Sequence, residues 1–244
     1  MQQSIFHITE NVPLTGTVFR MRLAGDTTAI TLPGQFVNIK LDGCYLRRPI
    51  SVCDVEGDTL TLIYKVVGRG TERMCAMHPG TALDILTGLG NGFDTSLSGE
   101  APLLLGGGIG SAPLYGLAKR LIAEGKKVTA VLGFNTKDEV FYEAEFKALG
   151  CDITVTTADG SYGVSGFVTD AIPAGFGYYY ACGPEPMLKA VYKAVPGSGQ
   201  LSFEQRMGCG FGACMGCTCK TVTGYKRICK DGPVLQKEEI LWEA

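Results

Sequence analysis

The chain has 244 residues, of which 45% are hydrophobic and 19% charged, and its formal net charge is −2. This length and apolar content predict two well-packed domains with a small appendage and exclude a disordered chain. The charge balance, the lack of a long apolar run and the lack of a signal-peptide pattern predict a cytoplasmic protein without nucleic-acid or membrane partners.

The first hundred residues predict an antiparallel β-barrel. Short segments rich in β-branched residues are separated by Gly, Asp and Pro, which is typical of strands joined by turns. A short helix over 71–77 interrupts them. The predicted strands are 4–10, 16–23, 35–41, 49–55, 59–66 and 81–86.

From about residue 100 the pattern alternates between strands and helices, which predicts a parallel sheet with helices on both faces. A last strand over 201–204 and a separate cysteine-rich tail follow. We therefore expect three domains: a barrel over 1–98, a central α/β domain over 99–200 and a tail domain over 201–244. The predicted strands of the central domain are 102–105, 127–134, 152–157 and 178–182, and its predicted helices are 112–124, 137–149 and 184–195.

The tail contains five cysteines with a distinctive spacing. Cys209, Cys214 and Cys217 follow the C-x4-C-x2-C pattern of a plant-type [2Fe–2S] cluster, and Cys229 is a candidate for the fourth ligand. The glycines between them allow a loop that wraps closely and directs N–H groups at the sulfurs. Cys219 is then the spare, because Cys214 and Cys217 already form the C-x2-C pair.

Two other interpretations of these cysteines remain open. A four-cysteine zinc site is one, although zinc sites usually combine two C-x2-C pairs. Disulfides are the other, although a chain without a secretory signal is expected to keep its thiols reduced.

Two motifs in the central domain are candidates for nucleotide binding. Gly106, Gly107, Gly108 and Gly110 form a loop between a strand and a helix, the arrangement that presents N–H groups to a phosphate. Without the full G-x-G-x-x-G spacing, the loop also fits a tight turn with no ligand. The second motif, which contains Cys182, Gly183 and Pro184, ends a strand and opens a helix, so it could line the same crevice or simply start that helix.

The barrel carries a third candidate site. Arg47 and Arg48 precede a Pro-Ile-Ser sequence, and an arginine fork suits a pyrophosphate. Neighbouring residues on a strand point to opposite faces, so at most one of the two arginines is a ligand contact. Further along, the Ile63-Tyr64-Lys65 segment could flank a flat cofactor or consist of ordinary strand residues. The glycine-rich segment at 68–71 resembles a second phosphate-binding loop.

Histidine is nearly absent, which limits the chemistry available. His7 and His78 are the only two in the chain. A Ser-His-Asp hydrolase is hard to build from them, and a His-rich metal site cannot be built. The chemistry therefore has to come from cofactors.

Taken together, these motifs resemble a known family. The Arg48–Ser51 segment, the 106–110 loop and the 182–184 motif look like the flavin and nicotinamide motifs of the ferredoxin–NADP⁺ reductase superfamily. The tail, from Glu204 to Val234, is similar to the electron-transfer subunit of class 1B dihydroorotate dehydrogenase, and the resemblance covers the whole chain. The 11 residues between Cys217 and Cys229 form a shorter stretch than is usual in that family.

The resemblance implies a function in pyrimidine biosynthesis. NADH would give a hydride to FAD on the barrel, and single electrons would pass through the [2Fe–2S] cluster to or from the FMN of a separate catalytic subunit that oxidises dihydroorotate. An α2β2 complex is expected. The expected preference for NADH over NADPH rests on the resemblance alone. The sequence shows no acidic residue for a ribose 2′-hydroxyl near the end of the 127–134 strand.

The resemblance also implies ligands, and alternatives stay open. Cys209, Cys214, Cys217 and Cys229 would hold the cluster. Two alternatives to this function stay open. The chain could be the small subunit of a sulfide dehydrogenase or transhydrogenase-type complex, or a cofactor-free binding module with structural zinc. The residues expected to hold FAD are Arg48, Pro49, Ile50, Ser51, Ile63, Tyr64, Lys65, Gly70 and Thr71.

Overall fold

The computed structural model describes residues 1–242, and their first part folds as the predicted barrel. Six antiparallel strands close on themselves in the order β1-β2-β5-β4-β3-β6. A helix, α1 (Arg69–Cys75), follows β5. The strands are β1 (Gln2–Pro13), β2 (Val18–Ala24), β3 (Phe36–Ile39), β4 (Arg48–Glu56), β5 (Thr59–Lys65) and β6 (Ala82–Leu89).

Apolar side chains at alternating positions along the strands fill the barrel. Phe6, Met21, Leu60, Leu62 and Ile85 are fully buried in one apolar cluster inside it. Burial of each large aliphatic side chain stabilises the fold by about 1.5–3 kcal/mol, so the alternating pattern fixes which face of each strand points inward. The opposite face of β3 and β4 is left for contacts outside the barrel.

The second unit is built on a seven-stranded sheet with the order β10-β9-β8-β7-β11-β12-β15. Its strands through β12 run parallel, as predicted from the alternation of strands and helices. These strands are β7 (Pro102–Gly107), β8 (Thr129–Phe134), β9 (Asp152–Thr157), β10 (Val164–Ser165), β11 (Tyr178–Cys182) and β12 (Gly199–Ser202). The helices are α2 (Ser111–Ala123), α3 (Glu143–Leu149) and α4 (Glu185–Ala194).

The helix predicted over 137–149 is wrong in its first half. A 3₁₀ turn at Lys137–Glu139 is followed by a break, and α3 begins only at Glu143. Tyr142 has a left-handed backbone with φ of 64°. Its ring is buried and packs edge-on against Tyr115, so tertiary packing holds a conformation that helix propensity disfavours.

The cysteine-rich tail is less separate than the sequence predicts. It contains a hairpin of β13 (Thr218–Thr221) and β14 (Gly224–Arg227) and a single helical turn, α5 (Ile228–Asp231). β15 (Val234–Gln236) then pairs antiparallel with β12 at the edge of the large sheet. Because β12 crosses the predicted boundary at residue 200, the three domain ranges stay a prediction.

The barrel and the sheet pack directly against each other. α2 lies on β4, and Gly116 allows the approach, because a Cβ there would come within 2.5 Å of the Cys53 carbonyl oxygen. None of the helices within residues 1–242 has both the length and the apolar composition that a bilayer crossing requires.

Candidate functional site

The 209–217 loop directs backbone N–H groups at cysteine sulfur, as its sequence predicts. Cys209 Sγ accepts from the N–H groups of Ala213 and Cys214 at 3.3 and 3.4 Å. Cys217 Sγ accepts from the N–H of Cys229 at 3.4 Å. N–H donors stabilise thiolate charge, which the cysteines need in order to ligate metal.

The pKa values of two of these thiols move in opposite directions. Burial alone would raise the pKa of Cys209, but N–H donors from Cys214, Phe211 and Ala213 outweigh it and lower the pKa to about 6. Burial raises the pKa of Cys229 to about 12, and hydrogen bonding with the Cys217 thiol adds to the rise. The N–H donors of the loop therefore favour the thiolate form of Cys209, and burial favours the protonated form of Cys229.

Two backbone hydrogen bonds connect the four predicted ligands in pairs. The Cys214 N–H donates to Cys209 Sγ, and the Cys229 N–H donates to Cys217 Sγ. Among residues 1–242, no three His, Cys, Asp or Glu side chains are grouped so that they could hold a single metal ion. A zinc site needs about four ligands around one ion, whereas a two-iron cluster takes two ligands on each iron. These pairwise contacts fit the two ligands that each iron of a [2Fe–2S] cluster takes.

Glycines wrap the loop around its exposed cysteine. A Cβ on Gly208 or Gly216 would lie 3.2 or 3.6 Å from Cys214 Sγ, so the backbone passes close to that sulfur on both sides. Gly212 has a φ of +94° and faces the Lys230 side chain. Arg227 fixes this part of the loop, because it donates to the Gly212 carbonyl at 2.9 Å and pairs with Asp231.

The loop has one buried side and one exposed side. Cys217 and Cys229 are 3% and 1% exposed, whereas Cys214 is exposed to solvent. Phe211 and Met215 beside it are 44% and 54% exposed, which is unusual for large apolar side chains. The exposed side of the loop is therefore open to close approach by another molecule.

In the barrel, the structure separates the roles of the two adjacent arginines. Arg47 forms a bidentate ion pair with Asp84 at 3.0 Å, so its charge is already matched. The Arg48 side chain packs over α1, where a Cβ on Gly70 would lie 2.1 Å from its Nε. Arg48 has no carboxylate partner within residues 1–242, so it is the arginine left for an anionic ligand.

The other predicted flavin residues lie in different environments. Pro49, Ile50 and Ser51 continue along β4 from Arg48 and are half-buried. Gly70 and Thr71 lie in the first turn of α1, where the Thr71 hydroxyl accepts from Val67 N–H at 2.9 Å.

The Ile63-Tyr64-Lys65 segment contributes less surface than expected. Tyr64 is 1% exposed, and its hydroxyl donates to Asn11 at 2.9 Å. Burial raises the pKa of this hydroxyl. Ile63 is 2% exposed and belongs to the core between barrel and sheet. The Tyr64 ring is thus a core side chain, and a cofactor contact by either residue can involve only the backbone.

The two nucleotide-binding motifs meet backbone to backbone at the carboxyl ends of β7 and β11. A Cβ on Gly110 would lie 2.4 Å from the Cys182 carbonyl oxygen, and one on Gly183 would lie 3.2 Å from Gly107 Cα. Only glycine fits at these positions. A Cβ on Gly108 would meet nothing within 4 Å, so the turn at Gly108–Gly110 has open space beside it at the start of α2, which suits a pyrophosphate.

A narrow cleft joins this cradle to the barrel. Lys65 and Gly108 both line it, and Lys65 pairs with Glu139 at 3.6 Å. Sequence reasoning missed Glu139, since it places that residue in a helix. A larger cleft of about 280 Å³ lies between β4 and α2, but it is lined by none of the predicted cofactor residues.

Comparison with known proteins places these features in one family. Residues 204–241 match the iron–sulfur cluster binding domain of dihydroorotate dehydrogenase B, and residues 104–193 match the oxidoreductase NAD-binding domain. The chain is 43% identical to the dihydroorotate dehydrogenase B (NAD(+)) electron transfer subunit of Geobacillus sp. (strain WCH70), over 99% of both chains. The chain belongs to this family of electron transfer subunits. The Fusobacterium nucleatum subunit is 46% identical over 96% of both chains.

Solved structures support the same fold. The structure of an NADH-dependent reduced ferredoxin–NADP oxidoreductase, described for flavin-based electron bifurcation, has a TM-score of 0.87 and 31% identity. It covers 97% of this chain and 90% of that one. A ferredoxin–NADP⁺ reductase from Neisseria gonorrhoeae with bound FAD and NADP has a TM-score of 0.69 and 16% identity, over 80% and 90% of the two chains, and so shares the fold alone.

These matches confirm the main expectations from the sequence. The chain is an electron transfer subunit of the dihydroorotate dehydrogenase B family, with a barrel, an NAD-binding sheet and a C-terminal iron–sulfur domain. An NAD-binding domain and an iron–sulfur cluster binding domain are confirmed by the family matches. The assignment of individual residues to these cofactors stays a prediction.

Sequence reasoning also missed an acidic residue at the nucleotide edge of the sheet. Asp159 follows β9, and its N–H donates to the carbonyl of Asn135, which follows β8, at 3.2 Å. Hydrogen bonds from Ser161 hold the pKa of Asp159 below its usual value. In dinucleotide-binding sheets an acidic residue about 20 residues beyond the glycine loop binds the ribose 2′-hydroxyl of NAD, and Asp159 is a candidate for the same role from the neighbouring strand. Asp159 follows β9 and not β8, the strand predicted over 127–134. Because β8 and β9 pair in parallel, the ends of both strands lie at the same edge of the sheet.

Proposed function

We propose that this chain carries electrons between NAD(H) and the FMN of a separate catalytic subunit that oxidises dihydroorotate to orotate in pyrimidine biosynthesis. FAD, when bound, accepts a hydride, and a [2Fe–2S] cluster exchanges electrons one at a time. The observation that carries this proposal is the identity of more than 40% with named electron transfer subunits over nearly the whole chain. Their printed names specify NAD(+) and dihydroorotate dehydrogenase B.

The residues would divide the work as follows. Arg48 and Ser51 on β4, together with Gly70 and Thr71 on α1, would hold the flavin pyrophosphate. The cradle around Gly108 and the 182–184 turn would hold the dinucleotide beside the cleft next to Lys65. The cluster ligands would be Cys209, Cys214, Cys217 and Cys229.

The exposed side of the cluster loop, with Phe211 and Met215, would face the catalytic subunit. We propose an α2β2 complex, in which each chain serves one catalytic subunit. We also propose a reducing, cytoplasmic location, because none of the ten cysteines forms a disulfide in the described part of the chain.

The proposal is tested by reconstitution with the FMN-containing catalytic subunit. The mixture should reduce NAD⁺ with dihydroorotate, whereas either subunit alone should not, and light scattering should give the mass of two copies of each. A mixture that forms no complex and transfers no electrons contradicts the proposal.

A second candidate function has one observation in its favour. The 31% identical structure over 97% of the chain is an NADH-dependent reduced ferredoxin–NADP oxidoreductase. The chain would then serve a partner that reduces NADP⁺ rather than one that oxidises dihydroorotate. Reduction of NADP⁺ with NADH in the presence of that partner, and not with dihydroorotate, would favour this alternative.

A further inference from the structure

Asn38 connects the barrel to the cluster loop. It lies on β3, is 1% exposed, and its Nδ2 donates to the backbone carbonyl of the cluster ligand Cys209 at 3.2 Å. Neither the sequence motifs nor the family matches single it out. A buried polar side chain at a junction between two cofactor sites needs an explanation.

The register of the strands places Asn38 beside the predicted flavin motif. In the antiparallel pair of β3 and β4, Asn38 is opposite Pro49, and Phe36 is opposite Ser51. Residues opposite each other share a face, so the Asn38 amide lies on the same face as Pro49 and Ser51. Val37 and Ile39, its neighbours on the strand, are buried in the barrel core on the other face.

The contact with the cluster loop is tight. A Cβ on Gly210, the residue after Cys209, would lie 2.3 Å from Asn38 Nδ2. Gly210 also has a φ of +78°, a backbone conformation that suits glycine. The amide therefore touches the loop directly, and its hydrogen bond limits how far Cys209 can move from the barrel.

The oxygen of the Asn38 amide receives no hydrogen bond from the described part of the chain. Asn38 Oδ1 is buried and has no hydrogen-bond partner within residues 1–242. Flipping the amide does not help, since the Cys209 carbonyl requires the nitrogen on its side. A buried acceptor without a donor costs free energy, so a donor that the protein chain does not supply is expected at this place.

We propose that Asn38 is a positioning residue that bridges the flavin site and the cluster loop. Nδ2 fixes Cys209, and Oδ1 accepts from an N–H of the bound flavin ring, whose predicted motif shares its face of the barrel. The inference rests on the proposed function, because it concerns electron exchange between these two groups. The side chain takes no part in the redox step and only sets their separation.

The test uses the complete chain with both cofactors and compares three variants. Asn38→Ala removes both ends of the bridge, and Asn38→Asp keeps an acceptor of the same size but loses the donor to Cys209. Gln200→Ala is the matched control, because the Gln200 amide is also buried and donates to a backbone carbonyl, that of Asp94, at 2.9 Å. Its hydrogen bonds are to Asp94 and Tyr178 and to no cysteine.

Three quantities are measured for each chain: FAD and iron content, the EPR spectrum of the reduced cluster, and stopped-flow traces after mixing with NADH. In FAD-loaded samples of both Asn38 variants, the rate of cluster reduction relative to the rate of flavin bleaching should fall about fivefold, the effect of one lost hydrogen bond on the population of the docked loop. Their EPR g-values should shift, and Asn38→Ala should also retain FAD less well. Gln200→Ala should match the wild type in all three.

Two outcomes are decisive in different ways. If Asn38→Ala gives the same EPR spectrum and cluster-reduction rate as Gln200→Ala, the bridge is overturned while the proposed function stands. Should the wild-type chain bind both cofactors and yet never reduce its cluster with NADH, the proposed function fails and the inference fails with it. If the buried carboxylate of the Asn38→Asp variant prevents folding, Asn38→Ala alone decides.

Discussion

At the scale of single residues, chemistry that the sequence leaves ambiguous is settled by neighbours. Arg47 and Arg48 are adjacent and identical in type, but Asp84 already pairs with Arg47. Tyr64 is a plausible cofactor contact by sequence, yet its ring fills the barrel core. In both cases the deciding partner is distant in the chain, so the sequence pattern alone cannot identify it.

The ligand assignment predicts different results for two neighbouring cysteines. Cys214→Ser should lose the [2Fe–2S] cluster and keep FAD, because cluster and flavin residues lie on separate elements. Cys219→Ser is the control and should keep both, since Cys219 lies in β13 and its sulfur accepts no backbone N–H from the cluster loop within residues 1–242. Iron content, visible absorption and EPR measure the cluster. A full [2Fe–2S] signal in Cys214→Ser, or its loss in Cys219→Ser, would show that the wrong spare cysteine is assigned.

Arg48 and Arg47 offer a second matched comparison. Arg48→Ala should weaken FAD binding by roughly 1.5–3 kcal/mol, the usual strength of a charge-assisted hydrogen bond. Arg47→Ala should leave FAD affinity close to wild type and lower the free energy of unfolding by up to about 1 kcal/mol, because it breaks a partly exposed ion pair. Fluorescence titration of the apoprotein with FAD measures the affinities. Equal loss of affinity in both variants contradicts the assignment of Arg48 to the pyrophosphate.

At the scale of secondary-structure elements, local patterns predict most of the fold. The six barrel strands and the alternating strands and helices of the sheet follow from period and turn residues, within a few positions. The helix that was predicted wrongly and the strand that was not predicted both have long-range causes. Tertiary packing of Tyr142 splits the helix predicted over 137–149, and β15 exists because it pairs with β12, about 35 residues earlier in the chain.

The position of Asp159 after β9 predicts an effect on the preference for NADH over NADPH. Asp159, at the carboxyl end of β9, should accept the ribose 2′-hydroxyl of NADH and repel the 2′-phosphate of NADPH. Asp159→Asn should therefore lower the preference for NADH over NADPH by roughly fivefold, because solvent screens the charge of an exposed carboxylate. Half-saturating concentrations for flavin bleaching measure this preference.

Asp152→Asn is the control for that test. Asp152 begins the same strand at its amino end, away from the nucleotide edge, and is exposed. Its replacement should leave the preference unchanged. An unaltered preference in Asp159→Asn would exclude this residue as the determinant.

At the scale of the whole molecule, the three cofactor sites are linked by direct contacts rather than by flexible connections. The cleft beside Lys65 and Gly108 joins barrel and sheet, Asn38 joins barrel and cluster loop, and β15 returns the tail to the sheet. The motifs predict the identity of each site. Their mutual placement could not be predicted, since it depends on contacts such as that between Asn38 and Cys209, which are 171 positions apart.

This arrangement predicts that electrons from NADH reach the cluster within the single chain. The most direct test is an anaerobic titration of the purified protein with NADH, followed by visible absorption, with iron, zinc and flavin assayed on the same sample. We expect a flavin and iron–sulfur spectrum in which both components bleach. A colourless chain that contains zinc and no flavin would contradict this expectation.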